Sequence, residues 1–227
     1  MVLPPKGEVH DELSPVFGQH RAYFDGLAAI YEDEAVAVGW SVNEVVAEEL
    51  AGLDPPAMVL DLACGTGVTL RLLQRAFPDA ELTGVDLSPA MAEIARTQIP
   101  EAHVIVDEVT HFVARSPQEF ELVTSVGGLE FVPDLPQLLV GMKKLVAPGG
   151  HLIATYEPIV EGSGQQSEAM VTIPVGGGVV VTTHRWPPEE VAASLADWTL
   201  IGHRTLPAYE RDGLQVTYGL LHARRPM

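Results

Sequence analysis

From Met58 onward, short and nearly unbroken apolar runs alternate with longer stretches in which apolar residues recur every three or four positions. Runs of the first kind read as strands buried on both faces, and stretches of the second kind as the helices that cover them. The pattern predicts strands over about 58–62, 81–86, 103–106, 121–125 and 151–155. It predicts helices over 67–77, from Ser88-Pro89, and from an Asp134 cap to a stop at Pro148-Gly149-Gly150. Ser88 can cap a helix whose first turn tolerates Pro89, because that turn has no partner for its N–H groups. Leu135, Leu138, Leu139, Met142 and Leu145 or Val146 form the buried stripe of the helix after Asp134. Regular alternation of this kind implies a parallel sheet covered on both faces, with ligands at the C-terminal ends of the strands.

The flanking thirds differ. The first fifty or so residues read as helical, with Ser41-Val-Asn-Glu44 spaced as a capping box and Val42, Val45, Val46 and Leu50 on one face. After Glu157-Pro158 comes a Gly/Ser/Gln-rich loop over 161–167, then two β-rich runs, Ala169–Val175 and Val179–His184, joined by Gly176-Gly177-Gly178. These form a hairpin folded over the mouth of the site. A last helix begins near Arg185-Trp186-Pro187-Pro188, and Thr199–Thr205 with Gln215–Ala223 close the sheet as an antiparallel pair. The expected fold is α/β, a doubly wound, Rossmann-like seven-stranded sheet, mostly parallel with an antiparallel C-terminal strand. It divides one domain, 1–227, into a helical cap (1–55), a ligand-binding core (56–156), an inserted hairpin (157–186) and a closing segment (187–227).

Charge narrows the partners. The 227 residues hold 13 Lys and Arg against 31 Asp and Glu, a formal charge of -18, which disfavours a nucleic-acid partner because a phosphate backbone needs a basic surface. Most of the acids, among them Glu32-Asp33-Glu34 and Glu48-Glu49, read as solvated helix faces. No apolar run is long enough to span a membrane, and the N-terminal residues lack the basic start and apolar core of a signal peptide, so a cytoplasmic home is expected. One cysteine, Cys64, excludes an internal disulfide. No metal is expected, since there is neither an H-E-x-x-H helix nor a cysteine cluster.

The chemistry concentrates where the first predicted strand ends. Val59-Leu-Asp61-Leu-Ala-Cys-Gly-Thr-Gly67 runs from an apolar strand into a small-residue turn and at once into a helix, and Leu82-Thr-Gly-Val-Asp86 ends the next strand in an acid. A small-residue turn lets main chain approach a ligand, and an acid at the second strand end can accept both hydroxyls of a ribose. A dinucleotide fingerprint would need a third glycine where Leu70 stands, and a phosphate loop would need Gly-Lys-Ser/Thr, which is absent. The site therefore reads as one for a nucleoside without a pyrophosphate.

Asp61-Leu-Ala-Cys-Gly-Thr-Gly67 resembles the first motif of class I S-adenosylmethionine-dependent methyltransferases, and Leu82-Thr-Gly-Val-Asp86-Leu-Ser-Pro-Ala-Met91 resembles their next motif. Tyr23-Phe-Asp25 through Tyr31 resembles the opening segment of many small-molecule members, and Phe120 through Asp134 their fourth motif, with Phe131 where many have His. The resemblance implies S-adenosylmethionine as cofactor. It implies contacts from Asp61, Ala63, Cys64, Gly65, Thr66 and Gly67 to the methionine half, and from Asp86 to the ribose. It further implies contacts from Leu87 and Met91 to the adenine face and from Asp107 or Glu108 to its amino group. Ser125, Val126 and Gly127 would border the cofactor's amino group and Tyr31 would lie over it.

The reaction so implied moves a methyl to oxygen or nitrogen of a small molecule, in a setting such as specialised metabolism. It needs alignment first, and a base only where the acceptor must lose a proton. His184 and Glu130 are the candidate bases. Two alternatives stay open: a cyclase or pericyclase that holds the cofactor without transferring its methyl, and a non-catalytic binding module.

Overall fold

The computed structural model describes residues 14–160, 164–211 and 213–227. Among them, β1 (Met58–Leu62), β2 (Glu81–Asp86), β3 (His103–Val106), β4 (Phe120–Ser125), β5 (Val146–Tyr156), β8 (Thr199–Arg211) and β9 (Leu214–Arg224) form one seven-stranded sheet. Its order is β3-β2-β1-β4-β5-β9-β8. Strands β1 to β5 pair in parallel, β9 pairs antiparallel with β5, and β8 antiparallel with β9. One strand, β9, thus opposes the rest, as the apolar pattern and the motifs predict. β6 (Met170–Gly176) and β7 (Val179–His184) make the separate hairpin.

Alternate residues of each strand feed two cores. On one face, α3 (Val42–Ala51), α4 (Val68–Ala76) and α5 (Pro89–Gln98) bury Val46, Leu50, Leu70, Leu73 and Ala95 against Val59, Leu122 and Ile153. On the other, α6 (Val109–Arg115), α7 (Leu135–Leu145) and α8 (Pro188–Ala193) bury Phe112, Leu138, Met142 and Val191 against Leu60, Val123 and Leu152. Each such fully buried aliphatic side chain contributes about 1.5 to 3 kcal/mol through burial. The caps read from sequence at Ser88 and Asp134 form, accepting from Met91 N at 3.1 Å and Gln137 N at 3.0 Å.

Four local expectations are corrected. The Ser41 capping box does not form: Ser41 Oγ instead donates to Pro207 O and Ala208 O, both at 3.3 Å, because β8 passes beside it and its carbonyls compete for the hydroxyl. α7 stops at Leu145, before Pro148, and Val146 already pairs with Phe120, so β5 begins earlier than predicted and carries Gly149 and Gly150 through an irregular register. A Cβ at Gly150 would meet Glu121 O at 2.7 Å, so the close approach of β4 demands glycine there. α6 was unforeseen; Glu108 caps it by accepting from Thr110 N and His111 N, both at 3.0 Å. Finally, two acids assigned to solvated faces are tied down. Glu32 accepts from Thr66 Oγ1 at 2.8 Å and from Arg71 and Gln98, and Glu49 holds Arg204 and His222, both at 2.7 Å.

The N-terminal helices, α1 (Pro15–Leu27) and α2 (Tyr31–Ala37), cross the C-terminal ends of the strands. Asp25 fixes α1 to the start of α5 by accepting from Ser88 Oγ at 2.6 Å and Ala90 N at 3.2 Å. The outer edge of β7 is fixed to α1 as well: Val180 N donates to Gln19 Oε1 at 3.0 Å and Thr182 N to His20 Nε2 at 3.2 Å. Two of the unpaired N–H groups that a hairpin edge presents are satisfied this way. Residues 1–13 and 161–163, parts of the expected cap and loop, lie outside the described residues.

Candidate functional site

A pocket of about 610 Å³, counting its open mouth, lies where β1, β2 and β4 end beneath α1. Its described lining includes Ala63, Gly65, Asp86, Leu87 and Met91 on the β1–β2 side and Gly127, Gly128, Phe131 and Val132 after β4. Phe17, His20, Phe24 and Tyr31 close it from above, and Glu108 and Val109 border it from α6.

The turn after β1 is held in an uncommon shape. Ala63, Gly65 and Gly67 take positive φ of 56°, 54° and 90°. For Ala63 this is left-handed backbone that a side chain rarely adopts, a local strain of the sort that clusters at ligand sites. Gly67 opens α4, where a Cβ would sit 2.6 Å from Ile99 Cδ1, so both its conformation and its packing require glycine. Gly128 faces the turn from β4; a Cβ there would lie 2.3 Å from Ala63 Cβ. The two loops thus approach each other at backbone distance.

Asp86 ties the turn to β2. One carboxylate oxygen accepts from Gly65 N at 2.7 Å, the other from Ser88 N at 2.8 Å. Each oxygen keeps a lone pair for a further donor. Burial pushes the Asp86 carboxyl up to about 6, although both main-chain bonds oppose the shift. Asp61 lies deeper. Its Oδ1 accepts from Thr124 Oγ1 at 2.7 Å, its Oδ2 has no partner among the described residues, and burial raises it to about 7. Asp61 is not in the described lining of the pocket, although sequence places it in the turn's motif.

Not every expected residue reaches the pocket. Cys64 packs into the core beneath the turn, its thiol pushed well up by burial, which supports the reading of a small packing residue. Thr66 gives its hydroxyl to Glu32, and Gly67 caps α4. Ser125 is fully buried, and Val126 packs against the core, while Gly127 is on the pocket wall and donates to Thr155 Oγ1 at 2.9 Å. Asp107 is not in the lining; its carboxylate meets His111 Nδ1 at 2.7 Å and Arg115 Nη2 at 2.8 Å. Glu108 is in the lining, but its oxygens serve the α6 cap.

The two candidate bases separate. Glu130 is buried behind the loop that carries Phe131, with Oε1 accepting from Tyr218 Oη at 2.6 Å and Oε2 unpartnered among the described residues. Burial, reinforced by the neighbouring Glu157 carboxylate, raises it to about 8. Glu157 itself is paired with buried Arg185 at 2.7 Å. Tyr31, between Glu130 and Asp86, has its phenol raised by burial and by both acids. His184 lies at the end of β7, outside the described lining, with burial lowering its pKa. The histidine in the pocket wall is His20. Sequence reading passed it over, although Phe17, His20 and Phe24 are spaced along one helical face with Tyr31 beyond them, a stripe that was there to be read.

Three solved structures with this fold cover most of the chain. The magnesium protoporphyrin IX methyltransferase of Synechocystis, solved with S-adenosylmethionine bound, is 14% identical with a TM-score of 0.66, covering 96% of this chain and 100% of that one. The 4+2 cyclase SpnF is 15% identical with a TM-score of 0.70, covering 94% and 98%. The N-methyltransferase NodS of Bradyrhizobium japonicum, in complex with S-adenosylhomocysteine, is 17% identical with a TM-score of 0.59, covering 81% and 87%. At these identities the likeness is one of fold.

Sequence relatives narrow the class further. Residues 59–150 match the family model of the methyltransferase domain, and they contain the first, second and fourth motifs read from sequence. That stretch is thus similar to methyltransferase domains and carries the motifs that resemble those of the class I, S-adenosylmethionine-dependent kind. A trans-aconitate 2-methyltransferase of Methylobacterium radiotolerans is 40% identical over 101 residues, 44% of this chain and 38% of its own length. A malonyl-acyl-carrier-protein O-methyltransferase of Halorhodospira halophila is 35% identical over 147 residues, 61% and 48%. A ubiquinone biosynthesis O-methyltransferase of Proteus mirabilis is 38% identical over 99 residues, 41% and 39%. The chain thus spans less than half the length of each of these relatives.

Proposed function

We propose that the protein transfers the methyl group of S-adenosylmethionine to oxygen or nitrogen of a small molecule, with specialised metabolism as a fitting setting. The observation that supports this most is the convergence of the left-handed turn at Ala63 and Gly65, the Asp86 carboxylate and Tyr31 on one pocket. When bound, the cofactor would supply a sulfonium methyl carbon for in-line attack by the acceptor, the S–CH3 bond breaking as S-adenosylhomocysteine leaves. Asp86 grips the ribose hydroxyls, while Leu87 and Met91 flank the adenine and Glu108, the one acid of its pair in the described lining, borders its amino group. The turn at Ala63 and Gly65 and the main chain at Gly127 hold the methionine half, and Tyr31 covers it. α1 and the hairpin exclude water and hold the acceptor in line, which is the larger part of what such a displacement needs.

An acceptor that must lose a proton calls on a base. Glu130 lies outside the described lining and holds its proton until pH nears about 8, so it reaches an acceptor as a base only if the loop that carries Phe131 moves. His184 serves from outside the pocket only through movement of β7. The reading is tested by incubating the protein with S-adenosylmethionine and panels of aryl alcohols, amines and carboxylates, with mass detection of products. S-adenosylhomocysteine formed together with a singly methylated acceptor supports it. Conversion of an acceptor with no S-adenosylhomocysteine released contradicts it in favour of a cyclase.

A further inference from the structure

We propose that the methyl acceptor is an uncharged molecule with an apolar, ring-sized body, oriented by a hydrogen bond from Nδ1–H of His20 to one of its oxygens. This rests on the methyl-transfer reading and adds to it the class of acceptor.

The pocket wall away from the cofactor turn is aromatic. Phe24 meets Phe131 edge-on at 5.0 Å, and His20 meets Phe131 at 5.5 Å and Phe17 at 6.3 Å. Rings arranged this way present apolar faces and edges that suit another ring. Among the described residues of the lining there is no Lys or Arg, whereas Asp86 and Glu108 are present. An ionised carboxylate entering here would shed its water with no protein cation in the described lining to receive it, and the cofactor's single sulfonium would offset one such charge at most. The wall therefore disfavours a polycarboxylate such as the one for which the Methylobacterium relative is named.

His20 supplies the polar contact. It is 1% exposed, and its Nε2 accepts the Thr182 N–H, so the neutral ring carries its proton on Nδ1. Burial, with His184 nearby, holds the ring neutral. Nδ1 has no partner among the described residues, and a buried N–H without an acceptor is rare enough to point to a ligand. A hydroxyl or carbonyl oxygen satisfies it; an ammonium group cannot. The same bond that fixes the tautomer ties α1 to β7, so the donor and the cover of the pocket are set by one contact.

Two substitutions separate these roles. His20→Asn places an N–H near the Nδ1 position and loses the bond to Thr182, whereas His20→Gln keeps an acceptor for Thr182 and loses the donor. The probe is 2-naphthol, followed by its fluorescence on protein saturated with S-adenosylhomocysteine, with trans-aconitate as the comparison by calorimetry. Wild type is expected to bind naphthol saturably and trans-aconitate not at all. His20→Gln is expected to weaken naphthol about fivefold to tenfold and His20→Asn by no more than about twofold, with cofactor-product affinity unchanged in both. Binding of trans-aconitate in preference, binding of neither probe, or equal losses in the two variants overturns the proposal. So does a loss of S-adenosylhomocysteine affinity in His20→Gln, which would assign Nδ1 to the cofactor. Failure of folded wild type to bind S-adenosylhomocysteine would instead refute the methyl-transfer reading itself.

Discussion

Replacing Glu130 by Gln changes how stability depends on pH. In the folded chain Glu130 holds its proton up to about 8, against an ordinary value of 4.5 when unfolded, because burial and Glu157 both disfavour its charge. The folded state therefore binds the proton more tightly. The stability so gained is fully present below about pH 4.5 and is lost as pH rises through about 8. Taken in full, that interval corresponds to about 5 kcal/mol, and relaxation around an ionised side chain reduces the observable part to about 2 to 4 kcal/mol. Gln is the neutral isostere: its carbonyl accepts from Tyr218 Oη as Oε1 does, and it never ionises. Urea unfolding at pH 5.5 and pH 9 reads the difference. Wild type is expected to lose about 2 to 4 kcal/mol more than Glu130→Gln between the two. Equal losses in both proteins would show that Glu130 ionises freely in the folded state and refute the reasoning.

Other consequences are testable in the same way. Asp86→Ala removes two ligand-facing acceptors and the anchors of Gly65 N and Ser88 N, so S-adenosylhomocysteine affinity should fall about tenfold to a hundredfold by calorimetry; unchanged affinity would remove Asp86 from the site. Gly128→Ala drives a methyl against Ala63, displacing the turn, and should destabilise the protein by about 1 to 3 kcal/mol in urea titrations while weakening the same ligand. Cys64, buried with its thiol pushed up, should resist iodoacetamide at pH 8 in folded protein and react once urea unfolds it; rapid modification of the native state would contradict its packing role.

Much of the frame was legible because it is written locally. Parallel strands buried on both faces read as continuous apolar runs, and the turn from Asp61 to Gly67 and the acid Asp86 announce themselves by residue type and position. What stayed hidden depends on distant partners. Ser41 has the spacing of a capping box, but β8 captures its hydroxyl from residues 207 and 208. Glu32 and Glu49 sit in acidic runs that look solvated, yet Thr66, Arg71, His222 and Arg204 reach them from far along the chain. α6 spans only Val109–Arg115, too short for a periodic signal, and exists because Glu108 caps it and Phe112 and Val113 find the core. His20 is legible in principle, since its stripe with Phe17 and Phe24 is periodic, but nothing in that spacing separates a pocket wall from ordinary helix packing.

The central claim is tested most directly by calorimetric titration of the purified protein with S-adenosylmethionine and S-adenosylhomocysteine, with NAD as control. Saturable one-site binding of the first two, and none of NAD, is expected. Binding of NAD alone, or of none of the three by protein whose fold is verified by circular dichroism, would contradict it.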